Sequence, residues 1–204
     1  MFGTGLEKIN AVVIGTSAGG LKALKSIVEA LPADFDLPVF IVQHLNPQSG
    51  GFLPSYLSQF TQLRVKEAEP NETVVNGTVY IAPANYHLLI EKDKKLSLTV
   101  DEKVNFSRPS IDILFESAAE VYLEQLLGIL LTGANNDGSK GIIRIHQLGG
   151  ITIAQHPASA EVKAMPQSAI ETGAVNWVLH LDEITLFLAK LSAKKNQSGE
   201  QIST

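Results

Sequence analysis

Ser17 stands between Gly15 and Gly19 in Ile14-Gly15-Thr16-Ser17-Ala18-Gly19-Gly20, a G-x-S-x-G spacing. A serine in that setting is suited to attack an acyl carbon. Small flanking residues allow a sharp strand-to-helix turn that lifts the hydroxyl clear of a sheet. The helix that follows brings unpaired backbone N–H groups and the positive end of its dipole to the same place. Such donors stabilise a developing oxyanion, and Ala18 N–H is a local candidate. Two plainer roles fit the same residues. Serine is a favoured helix N-cap, and glycine-rich turns of this kind also bind dinucleotides. The dinucleotide pattern G-x-G-x-x-G fails here, because its second glycine would fall at position 17.

A serine nucleophile needs a base, and the base needs an orienting partner. The chain has five histidines. His44 closes the apolar run Leu37-Pro38-Val39-Phe40-Ile41-Val42-Gln43, and a role capping that strand by hydrogen bonds to backbone is open to it as well. His156 follows Ile153-Ala154-Gln155 and is its rival. His87, after Ala82-Pro83-Ala84-Asn85-Tyr86, is expected at a pocket rim. His146 is expected within a helix, and His180 carries no further signal. The acid candidate is Asp137, in Thr132-Gly133-Ala134-Asn135-Asn136-Asp137-Gly138. Asn and Asp before glycine are equally at home as turn and cap residues. The three candidates share one property: each follows a strand-like run. Metal chemistry draws little support, with no H-E-x-x-H, no cysteine and no dense acidic cluster.

The elements that must position them alternate between strand-like and helix-like, which predicts an α/β fold with a largely parallel sheet. Strands are predicted over residues 11–14, 37–44, 126–131, 151–154 and 177–179. Helices are predicted over 21–31, 52–60, 110–122, 139–148, 166–171 and 183–191. Residues 64–100 read as short strands (63–68, 78–81, 88–91 and 96–100), a sheet extension with at least one hairpin. The architecture predicted is three-layer and doubly wound, a mostly parallel sheet with an antiparallel hairpin in its middle third. In such a sheet, sites form beyond the carboxyl ends of the strands. A right-handed β-α-β unit would set the first two strands side by side, and with them Ser17 and His44.

Composition narrows the classes. A 204-residue chain with 45% hydrophobic residues can build one domain with a substantial core. A net charge of −5 argues against general nucleic-acid binding. The absence of cysteine removes disulfide scaffolds and thiolate nucleophiles. The N-terminus lacks a secretory pattern, and no apolar run approaches membrane-spanning length. A cytoplasmic protein without membrane insertion is expected.

Taken in order, the motifs resemble the catalytic domain of the CheB family, the protein-glutamate methylesterases of bacterial chemotaxis. The pieces are Ile14-Gly15-Thr16-Ser17-Ala18-Gly19-Gly20, Gln43-His44-Leu45, Val79-Tyr80-Ile81-Ala82-Pro83, Arg108-Pro109-Ser110-Ile111-Asp112-Ile113-Leu114-Phe115, Leu131-Thr132-Gly133 with Asn136-Asp137-Gly138, Thr152-Ile153-Ala154-Gln155, and Met165-Pro166-Gln167-Ser168-Ala169-Ile170. The resemblance implies a triad of Ser17, His44 and Asp137, in an order that differs from the Ser…Asp…His of α/β-hydrolases. It implies an oxyanion donor at Ala134 and no cofactor. The implied substrate is a glutamyl methyl ester on the cytoplasmic helices of a chemoreceptor, with glutamine deamidation as a related activity. A methyltransferase or a separate receiver protein are the further partners it suggests.

Residues 1–192 are read as the catalytic domain and 193–204 as a polar tail. Family members in chemotaxis usually carry an N-terminal receiver domain. About ten residues precede the first strand here, so that domain is expected to be absent from this chain. Ala18 stands where the family commonly has threonine, and His156 where many relatives have an acidic residue or asparagine. Two other functions fit the residues: a non-catalytic signalling module that binds a receptor or methyltransferase, and a small-molecule esterase.

Overall fold

The apolar runs of this chain are continuous rather than alternating, which is the pattern of strands covered on both faces. In the computed structural model, which describes residues 6–44 and 51–200, that is how they are used. The order is β1 (Ala11–Thr16), α1 (Gly20–Ala30), β2 (Val39–Gln43), α2 (Phe52–Leu57), β3 (Arg64–Glu67), β4 (Thr78–Ile81), β5 (His87–Ile90) and β6 (Leu96–Thr99). It continues with α3 (Ile111–Tyr122), β7 (Leu126–Leu130), α4 (Ser139–Gln147), β8 (Ile151–Gln155), α5 (Ala164–Glu171), β9 (Trp177–Leu179) and α6 (Leu181–Glu200). Seven strands pair in parallel in the order β3-β4-β2-β1-β7-β8-β9. The predicted hairpin forms, but β5 and β6 make a separate antiparallel sheet of their own.

Each central strand sends alternate residues into two cores. Val12 and Ile14, Val39 and Ile41, and Leu127 and Ile129 join one, with Leu24 and Ile27 of α1 and Ile184 and Leu188 of α6. Ala11 and Val13, Phe40 and Val42, and Leu126 and Leu130 join the other. There they meet Ile111 and Phe115 of α3, Ile145 of α4, and Leu88 and Leu96 of the hairpin. Each fully buried aliphatic side chain contributes roughly 1.5–3 kcal/mol. The carboxyl ends of β1, β2 and β7 are therefore held on a rigid platform.

Gly15 decides how close α3 comes to that platform. A Cβ there would collide with Ile111 and Leu130 side chains, so the glycine lets the first turn of α3 rest directly on β1. The last helix runs well past the expected Leu191. The polar stretch expected from residue 193 thus falls partly in α6, while residues 201–204 lie outside the described residues. So do residues 45–50, which include Leu45 of the Gln43-His44-Leu45 motif. No helix among the described residues is long and apolar enough to cross a membrane.

Candidate active site

β1 lies between β2 and β7, where the sheet changes its direction of winding. Register brings the strand ends level. Thr16 pairs with Gln43, and Gly15 pairs with both Val42 and Leu130. Beyond the last pair the chain is still tied on both sides. His44 N–H donates to Thr16 O at 3.1 Å, and Ser17 N–H donates to Thr132 O at 3.0 Å. Ser17 is half-buried at this junction. The turn after it passes through Gly19, whose φ of +78° is a left-handed conformation that suits glycine.

His44 and Asp137, 93 residues apart, are joined by a 2.8 Å hydrogen bond from His44 Nε2 to Asp137 Oδ2. The His44 side chain is 13% exposed and Asp137 is sealed, so the imidazole is reachable and the acid is not. Asp137 sits on the N-terminus of α3. Its Oδ2 also accepts Ile111 N–H at 2.7 Å, and its Oδ1 accepts Asp112 N–H at 3.1 Å, Ser110 Oγ–H at 2.9 Å and Asn105 Nδ2 at 3.3 Å. The carboxylate thus caps a helix that its own segment does not belong to. Burial would raise the Asp137 pKa, but the hydrogen bonds from His44, Ile111 and Asp112 outweigh it and hold the group below its ordinary value. An ionised carboxylate only accepts, so Nε2 carries the ring proton and Nδ1 is the basic nitrogen.

That basic nitrogen has a neighbour not singled out from the sequence. Ser107 Oγ lies 3.4 Å from His44 Nδ1. Among the described residues Ser17 Oγ makes no hydrogen bond. The structure therefore brings His44 and Asp137 into contact and sets Ser17 at the adjoining strand end without a bond to the imidazole. The N–H groups of Ala18 and Ala134 have no acceptor among the described residues, and both residues are exposed. Ala18 belongs to the turn that carries Ser17, and Ala134 to the loop after β7.

Gln43 was also missed. Its Nε2 donates to Ser17 O and to His44 O, each at 2.9 Å, so one amide braces the two candidate residues. Two carbonyl acceptors fix which end of the amide faces them. The available signal was a polar residue at the close of an apolar strand. Asp112 accepts Gly141 N–H at 2.9 Å and Asn105 Nδ2 at 3.0 Å. Burial, with the like charges of Asp137 and Glu116, pushes its carboxyl up to about 6 against the pull of Gly141 N–H.

The other histidines are accounted for. His87, expected at a rim, is instead fully buried. Its Nδ1 accepts Ser110 N–H at 3.1 Å and its Nε2 donates to Glu102 O at 3.1 Å, because the start of α3 needs an acceptor and the loop before it a donor. His156 stacks on His180 with ring centroids 4.3 Å apart, and its Nδ1 accepts Ala158 N–H. Among the described residues it has no bond to Asp137. His146 is exposed on α4. Among the described residues no three His, Asp or Glu side chains group as metal ligands.

With this geometry in place, comparison with known proteins is specific. The family profile described as CheB methylesterase matches residues 12–188. A relative from Leptospira interrogans is 49% identical over 181 residues, which is 89% of this chain and 94% of the relative. A Thermotoga maritima protein-glutamate methylesterase/protein-glutamine glutaminase is 39% identical over 171 residues, 82% of this chain and 50% of that protein. The crystal structure of the Thermotoga maritima CheB methylesterase catalytic domain matches with a TM-score of 0.86 and 37% identity, covering 90% of this chain and 98% of that one. The chain thus spans about half the length of one of these relatives and nearly all of another.

Proposed function

The chain belongs to the CheB methylesterase family and is a carboxylic ester hydrolase, and on that premise we propose that Ser17, His44 and Asp137 act as its triad. The substrate is the methyl ester of a glutamyl side chain on a protein, a chemoreceptor cytoplasmic segment. Ser17 Oγ attacks the ester carbonyl while His44 Nδ1 takes its proton. Nε2 keeps its own proton and donates it in a hydrogen bond to Asp137, which stabilises the imidazolium without accepting charge. Ala18 and Ala134 N–H groups supply the oxyanion donors. Collapse of the tetrahedral intermediate expels methanol, which receives the proton from Nδ1. Water then attacks the acyl-enzyme with the same base and releases glutamate. Glutamine would follow the same path with ammonia leaving. The site acts within the cytoplasm.

The observation that carries this reading is the 2.8 Å His44–Asp137 bond beside the end of β1. Methanol release from a radiolabelled methyl-esterified receptor fragment tests it. Ser17→Ala is expected to lose about three orders of magnitude or more.

One observation favours a second nucleophile: Ser107 Oγ, not Ser17 Oγ, lies 3.4 Å from Nδ1. Ser107, however, belongs to the turn at 104–107, whereas Ser17 directly follows the central strand β1 and precedes the N–H of Ala18, which is free among the described residues. Ser107→Ala is expected to keep activity within about tenfold of the native enzyme. A collapse in Ser107→Ala with activity kept in Ser17→Ala would reverse the assignment.

A further inference from the structure

We propose that Phe106 is the residue by which this enzyme grips its protein substrate, packing on an apolar side chain next to the esterified glutamate; this rests on the protein-ester reading above. Phe106 is 97% exposed, so almost its whole ring meets water. Its φ is 62°, in the left-handed region that an aromatic residue rarely adopts. Either feature alone is unfavourable, and glycine or asparagine at this position would relieve both.

The local geometry shows why. Ser107 N–H donates to Val104 O at 2.8 Å and Val104 N–H to Ser107 O at 3.2 Å, which closes a two-residue hairpin. Both central residues have positive φ, 49° at Asn105 and 62° at Phe106. This is a primed turn, in which asparagine suits the first central position and glycine the second. Asn105 follows that preference and Phe106 defies it. Strain of this kind persists where the surroundings enforce it, and it collects at functional sites.

The turn is fastened to the candidate catalytic pair on both sides of Phe106. Asn105 Nδ2 reaches Asp137 Oδ1 and Asp112 Oδ2, and Ser107 Oγ reaches His44 Nδ1. Behind it, Arg108 Nη1 holds the carbonyls of Val100 and Asp101 at 2.6 and 2.9 Å. The backbone at Phe106 is therefore anchored beside His44, and the two residues line a cavity of about 130 Å³. A polypeptide that presents an ester to His44 must pass over this ring. Rigid, exposed aromatic residues are strong anchors at protein contacts. A small ester that reaches Ser17 alone need not touch it.

The test compares two substrates. Phe106→Gly and Phe106→Leu are assayed on p-nitrophenyl acetate and on a radiolabelled methyl-esterified receptor fragment. In Phe106→Gly, KM for the receptor fragment is expected to rise about tenfold or more with kcat unchanged. Hydrolysis of p-nitrophenyl acetate stays at the native level, and Phe106→Leu recovers most of the loss. Release of turn strain should also raise the Tm of Phe106→Gly by about 2–4 °C. An unchanged KM for the fragment, an equal loss on both esters, or a lower Tm would overturn the proposal. Native enzyme that cleaves p-nitrophenyl acetate but releases no methanol from the fragment would instead remove the protein-ester reading, and this proposal with it.

Discussion

Asp137→Asn asks whether one carboxylate truly serves both the imidazole and a helix. The native group accepts five donors: Ile111 N–H and His44 Nε2 on one oxygen, Asp112 N–H, Ser110 Oγ and Asn105 Nδ2 on the other. Asparagine offers one oxygen and one NH2. If the oxygen faces Ile111 and His44, the NH2 points at the N–H of Asp112 and the amide of Asn105. If it is turned round, the NH2 meets Ile111 N–H, and His44 must surrender its Nε2 proton. Each buried donor left facing a donor costs about 1–3 kcal/mol. Loss of the negative charge at the start of α3 adds about 0.3–2 kcal/mol. Two such clashes and the lost charge come to roughly 2–8 kcal/mol, a Tm fall on the order of 5–30 °C. Activity on p-nitrophenyl acetate should drop about 10³-fold, below the roughly 10⁴ of a fully wrong tautomer. The stability gap also has a pH signature. Because the native carboxyl is held below its unfolded value, its contribution is complete above about pH 4 and is lost as pH falls through the folded pKa. The gap between native and variant should therefore shrink on acidification. Calorimetry and initial rates check both arms. A variant with native Tm and activity within tenfold would refute the reasoning.

Further outcomes follow from the same geometry. Gln43→Leu removes the amide that braces Ser17 O and His44 O, so kcat on p-nitrophenyl acetate should fall about tenfold with KM little changed. His156→Ala should keep rates within about threefold of native, since that ring is spent on His180 and Ala158; a collapse would hand His156 the base role. Asp112 titrates in the opposite sense to Asp137. Its folded pKa of about 6 lies above the unfolded value, so its contribution is greatest in acid and declines as pH rises towards 6. Urea midpoints of Asp112→Asn should gain on the native protein over that interval and run parallel above it.

The central strands were legible because burial on both faces leaves uninterrupted apolar runs, and Thr78–Ile81 falls where the residues place it. The positions of Ser17 and His44 directly after β1 and β2, and of Asp137 in the loop between β7 and α4, were legible for the same reason. What the carboxylate of Asp137 holds was not, because its partners at Asn105 and residues 110–112 reach it only through packing of α3 on Gly15. His87 misled for a related cause. A histidine with both ring nitrogens spent inside the protein has no periodic mark to separate it from one at a rim. The last helix was cut short because its later turns lack apolar residues, although Ala193, Lys194 and Lys195 are good helix formers.

The small hairpin of β5 and β6 has a consequence of its own. It stands apart from the seven-stranded sheet, yet through His87 it steadies Glu102 and the entry to α3. The segment before α3 is thus held from two sides, by His87 of the hairpin and by the His44–Asp137 pair. Within residues 100–108 an outward side chain such as that of Phe106 can be exchanged, while Asn105 and Ser107 must stay to keep their bonds to Asp137 and His44. If Phe106 grips the substrate as proposed, targets in such a protein would diversify by changing that one outward position between two fixed neighbours.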